Sequence, residues 1–114
     1  MAKKRNKKPP EERREEALRP SRFLGYDRDS LGVYLMGCEA YGLAESQFRR
    51  AIWLNPFEAR FKAHLAWSLF KQGRHADARA CVAEIPEAEM DPEMRNIARL
   101  VEQAVSSQRV EDQG

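Results

Sequence analysis

Four side chains in this 114-residue chain titrate or attack near neutral pH: Cys38, His64, His75 and Cys81. Metal binding would need them in ligand spacing, and neither an HExxH nor a CxxC pair occurs; the histidines do not stand at i, i+4 with each other or with a cysteine. Nucleophilic catalysis through Cys38 or Cys81 would need an activating base that no motif places. No Gly-rich phosphate loop is present. The sequence therefore predicts no catalytic residue, no metal and no cofactor. What remains is the chemistry of association, carried by large aromatics and by charge.

Charge divides the chain in two. Residues 1–22 hold nine Lys/Arg and four Glu, net +5, whereas residues 23–114 hold eleven Lys/Arg and fourteen Asp/Glu, net −3. The basic stretch contains Lys3, Lys4, Arg5, Lys7, Lys8, Arg13 and Arg14 and offers nothing apolar to bury before Ala17 and Leu18, so 1–22 is expected to be a disordered arm. Within it, Glu11–Leu18 can form two helical turns, opened by Pro10 and stopped by Pro20, provided a contact supports them. Three roles suit the arm: salt-sensitive phosphate contacts with RNA, docking on an acidic protein surface, or solubilisation alone. The interspersed glutamates oppose the first.

The segments that must position everything else begin at Phe23. Apolar residues recur at three- and four-residue steps: Leu31 and Leu35; Leu43, Ala44, Phe48, Ala51 and Ile52; Leu65, Ala66 and Leu69; Ala78, Val82 and Ile85; Ile97, Leu100, Val101 and Ala104. No segment alternates with period two, so the fold class is all-α, with helices expected over 29–39, 43–54, 57–72, 76–85 and 92–106. Asn55-Pro56 and Asp91-Pro92 read as helix starts, and Gly73 as a helix stop. A polar tail, 107–114, follows. No run approaches the roughly 20 apolar residues of a membrane span. The charged start lacks a signal-peptide core, and the cysteines sit in helical patterns, so free thiols in the cytoplasm are expected.

The pattern repeats at an offset of 34 residues. Leu31, Gly32 and Leu35 map onto Leu65, Ala66 and Leu69; Ala44, Phe48 and Ala51 map onto Ala78, Val82 and Ile85. With one extra loop residue the spacing returns at Ile97, Leu100, Val101 and Ala104. These residues resemble the tetratricopeptide repeat (TPR) family: Leu31-Gly32-x2-Leu35, Ala44-x3-Phe48, Ala51 and Pro56 in one unit, and Leu65-Ala66-x2-Leu69, Gly73 and Ala78-x3-Val82 in the next. The likeness covers about residues 25–106. It departs from the family where Arg28 and Lys62 stand in place of a large aromatic, and where Pro92 arrives late.

The resemblance implies a short right-handed superhelical stack of antiparallel hairpins, two repeats and a capping helix whose outer face carries Glu93, Arg95, Arg99 and Glu102. It further implies a concave groove lined by Asp29, Val33 and Met36, then Arg60, Ala63, His64, Trp67, Phe70 and Lys71, where family members bind a peptide or helix of another protein. Trp67 and Phe70 are then either anchors for that segment or packing against the third helix. Asp29, Val33 and His64 stand where a carboxylate clamp would need Lys and Asn. His75 falls at a turn position the family fills with a packed Tyr. Trp53 stands where the family usually carries an outward polar residue; it is either a second contact or covered locally by Phe57, Phe23 or Tyr26. Function is thus expected to be non-enzymatic: an adaptor, scaffold or subunit of a larger complex, with an RNA- or ribosome-associated protein anchored by the arm as the alternative.

Overall fold

The computed structural model describes residues 8–113. The chain is all-α, and among the described residues there is no strand. Among the described residues six α-helices follow one another: α1 Pro10–Leu18, α2 Tyr26–Gly37, α3 Tyr41–Leu54, α4 Ala59–Lys71, α5 His75–Ala83 and α6 Pro92–Gln113, with a 3-10 turn at Glu87–Glu89 before the last. From α2 onward each helix packs on its chain neighbour, and α4 also meets α2 and α6. Two hairpins, α2/α3 and α4/α5, lie side by side, with α6 closing the far end.

The 34-residue repeat is visible in the turns. After α4, Gly73 at φ 79° lets its N–H reach Phe70 O (3.0 Å) and that of Arg74 reach Leu69 O (2.9 Å). After α2, Glu39 at φ 61° does the same: its N–H bonds Met36 O (3.0 Å), and Ala40 N–H bonds Leu35 O (2.9 Å). Both are Schellman caps, one on glycine and one on a glutamate forced into the left-handed region. Small residues mark the closest helix crossings. Ala44, Ala51, Ala66 and Ala78 are fully buried, and a Cβ on Gly32 would stand inside the Phe48 ring. Phe48, Phe61, Leu54, Leu69 and Val101 fill the core between them.

Four expectations change. Helix α2 starts at Tyr26, three residues early, because Gly25 at φ 95° breaks the chain there. Asn55 is not the cap of α4: its Oδ1 accepts from Phe57 N–H (3.1 Å) in the preceding turn, its Nδ2 donates to Leu24 O (3.1 Å), and Glu58 caps the helix instead. The polar tail is helical to Gln113, since no Gly or Pro interrupts 93–113. Finally, α1 supplies part of the supposed arm with regular structure. Its support is Glu15, which accepts from Arg28 of α2 (2.8 Å) and Arg50 of α3 (3.2 Å). The Arg28 hydrogen bonds hold the Glu15 carboxyl below its ordinary range against the opposing pull of burial, with Arg50 adding to them.

Candidate partner-binding groove

Helices α2, α4 and α6 each present one face to the others through the residues around His64. Its Nδ1 lies 2.7 Å from Asp29 Oδ1 on α2, and its Nε2 lies 3.1 Å from Glu93 Oε1 on α6. Asp29 and His64 are both buried, whereas the Glu93 side chain is 59% exposed. An ionised carboxylate only accepts, so a ring that satisfies both must donate from both nitrogens. That ring is the imidazolium. Burial alone would lower the His64 pKa, but the hydrogen bond and charge of Asp29, then those of Glu93, raise it above the ordinary value. Phe48 and Trp67 pack beside the ring at centroid distances of 5.5 and 6.2 Å. Glu93 therefore reaches back to α4 through one carboxylate oxygen while most of its side chain stays in solvent.

Next to this bridge an open recess of about 190 Å³ lies between α4 and α6, lined by Trp67, Glu93, Asn96, Ile97 and Leu100. The α6 residues fall at i, i+3, i+4 and i+7, one helical stripe, and so share the side that faces Trp67. Trp67 is half-buried, and Leu100 stays 38% exposed. On α2, Val33 is exposed as well.

The other expected groove residues divide. Met36 is 4% exposed and belongs to the core with Ala44 and Phe48, because the α2 stripe that carries it turns toward α3. It is not open to a ligand, and neither is Ala63. Phe70 lies against the core and the His75 ring (5.5 Å), so packing accounts for both. Arg60 is half-exposed and reaches Asp91 Oδ2 at 3.6 Å. Lys71 is exposed at the last turn of α4.

Trp53 lies on the opposite side. Its indole is covered by neither Phe57, Phe23 nor Tyr26. Arg19 stacks on it at 3.9 Å while donating from Nε to Trp53 O (3.1 Å), and Arg50 approaches at 4.7 Å. The segment after α1 is thereby tied to α3 by a cation–π contact. Beside Trp53, Ile52, Leu65 and Cys81 line a second open recess of about 350 Å³ with Arg49 and Lys62 at its edge. Burial raises the Cys81 thiol pKa, which disfavours the nucleophilic thiolate.

Of the basic residues singled out, Lys3, Lys4, Arg5 and Lys7 lie outside the described residues. Lys8 pairs with Glu16, and Arg13 and Arg14 are exposed on α1. Glu15 and Glu16 turn toward the body and its Arg50, which leaves the arginines outermost.

Among the described residues no group of three His, Cys, Asp or Glu side chains is placed to hold a metal ion. Asp29 and Glu93 address opposite nitrogens of one ring and cannot converge on a common point. No described helix is long and apolar enough to cross a membrane. The bridging roles of Asp29 and Glu93 and the recess at Asn96 and Leu100 had no sequence motif; the 35-residue step from Asp29 to His64 was the available signal. No family model matches the sequence, and neither a curated protein nor a solved structure matches it. The fold and the site define an all-α chain of paired helices with a half-open inner face.

Proposed function

We propose that the chain is a TPR-like, non-enzymatic adaptor or assembly subunit of the cytoplasm, whose inner face takes a peptide or helix of another protein. The supporting observation is the recess between α4 and α6, where Trp67 and Leu100 stay accessible beside the buried Asp29–His64 hydrogen bond. A half-buried indole in a preformed recess is the kind of anchor that dominates protein interfaces. The term subunit rests on a second contrast. Leu65 is buried against the preceding hairpin, but its repeat mate Leu31 is 43% exposed at the open end of the stack, with Tyr34 and Leu43 nearby in sequence. The test is affinity purification of the intact chain and of Trp67→Ala. Loss of the captured partner with an unchanged helical spectrum supports this reading, and full retention refutes it.

A second reading, an RNA- or ribosome-associated protein, gains from α1. Its Glu15 and Glu16 are engaged by Arg28, Arg50 and Lys8, so these glutamates oppose an anion less than their sequence positions suggest. Deleting residues 1–22 separates the two readings: RNA binding disappears while protein binding persists.

A further inference from the structure

The charge inventory around His64 is unbalanced. Asp29 and Glu93 bring two carboxylates to one imidazole ring, so even the protonated ring leaves a net negative charge. Of the cations on these helices, Arg28 pairs with Glu15, Arg60 with Asp91 and Arg95 with Glu87, whereas Arg99 donates to the neutral Asn96 amide and keeps its charge. No cation lines the recess itself, whose walls are one indole, one carboxylate, one amide and the apolar Ile97 and Leu100. His64 uses only Oε1 of Glu93, and that side chain is 59% exposed, so the carboxylate can serve a second donor from solvent. At about 190 Å³ the recess is below the roughly 300–1,000 Å³ of small-molecule sites and suits one side chain.

Building on the groove reading above, we propose that this recess recognises an arginine or lysine side chain of the partner segment, stacked on the Trp67 indole and paired with the Glu93 carboxylate. The indole face attracts a cation, and the attraction strengthens where water is partly excluded. Asn96 Oδ1 already accepts from Arg99, so Glu93 is the acceptor for the incoming cation, while Ile97 and Leu100 cover its aliphatic stem. The preference is for a base although two cations stand on the same helix: Arg60 is engaged by Asp91, and Lys71 lies one turn beyond Trp67, outside the lining of the recess.

Occupancy is coupled to a proton. The groups facing His64 are Asp29 from α2 and Glu93 from α6, with Phe48 of α3 and Trp67 of α4 against the ring. A cation on Glu93 competes with Nε2–H for the same carboxylate, so deprotonating His64 strengthens the site for the incoming side chain.

The test pans a random-peptide library on the full chain and keeps peptides whose binding shifts the Trp67 indole N–H resonance, assigned with Trp67→Phe. The expected peptides share an Arg or Lys at one aligned position. Replacing it with Gln weakens binding at least tenfold on the order of a charged, partly desolvated pair. In Glu93→Gln, whose folding is checked by thermal melting, the same replacement costs less than about twofold. Affinity for the basic peptide rises several-fold as pH increases through the His64 titration, and that of its Gln analogue does not. Trp67-contacting peptides with no basic residue, or an undiminished penalty in Glu93→Gln, overturn this inference and leave the groove reading standing. If no peptide contacts Trp67, both fall.

Discussion

Asp29 Oδ1 stands 2.7 Å from Nδ1 of His64, 35 positions further along the chain, and both side chains are buried. This pair, extended by Glu93, is where α2, α4 and α6 are bound to one another by charge as well as by packing. Its worth depends on the ring staying protonated. The folded-state pKa of His64 is raised, so the stabilisation is complete below the ordinary imidazole value of 6.5 and is lost as pH rises through the folded value. Urea denaturation from pH 5.5 to 9 is expected to show stability falling on the alkaline side in the wild type and a flatter profile in His64→Gln.

Removing the ring altogether strands the Asp29 carboxylate at 8% exposure. His64→Ala is expected to cost about 3 kcal/mol, the usual effect of breaking a buried pair from one side. Asp29→Asn in the same background should recover part of it, because the buried group is then neutral. A double-mutant cycle by chemical denaturation measures both; strict additivity would show that the two residues do not interact.

Glu39 holds a left-handed backbone that Gly73 holds at the matching turn. An L-residue there costs about 1–2 kcal/mol, partly offset by the greater unfolded-state freedom of glycine. Glu39→Gly is therefore expected to stabilise the chain by about 0.5–1 kcal/mol, raising its melting temperature by a few degrees. Gly73→Ala should lower it.

At Gly32 a methyl group would enter the Phe48 ring. Gly32→Ala is expected to destabilise by about 1–3 kcal/mol through overpacking, despite the better helix propensity of alanine. Phe48→Leu in combination should be less harmful than the two changes added together, which thermal denaturation of the four chains reads directly.

Docking of α1 rests on Glu15, whose folded pKa is depressed by Arg28 and Arg50. A lowered carboxyl contributes above its unfolded pKa and loses that contribution as pH falls through the folded value. Glu15→Gln, or acid, is expected to free α1 and lift Arg19 from Trp53. In a Trp67→Phe background, a red shift of the remaining indole emission reports it, with little change in global stability.

The paired helices were legible because Leu31/Leu65, Ala44/Ala78 and the glycine stop at Gly73 carry period and punctuation in the sequence itself. The core was legible for the same reason, down to the close approach at Gly32. The site was less so. Met36 and Phe70 lie at groove-compatible spacing, yet spacing cannot tell which edge of a helical stripe turns into the core. Glu93 looked like a solvated cap residue, because its partner stands 29 positions away on another helix. The bounds of α1 were legible from Pro10 and Pro20, but its charges misled: its glutamates interrupt a basic run in sequence, whereas in space they are the contacts that fasten it. Trp53 was singled out as an exposed indole and is 39% exposed; the arginines that stack on it come from 34 and three residues upstream.

In the proposed function the face at Trp67 meets a partner protein. Photo-crosslinking decides it, with benzoylphenylalanine placed in turn at positions 67, 80 and 13 of the full chain in its native cells. A discrete adduct with one protein from position 67, absent from the exposed Ala80 position on α5, is the predicted result. Adducts confined to position 13 on α1, with none from position 67, would contradict it.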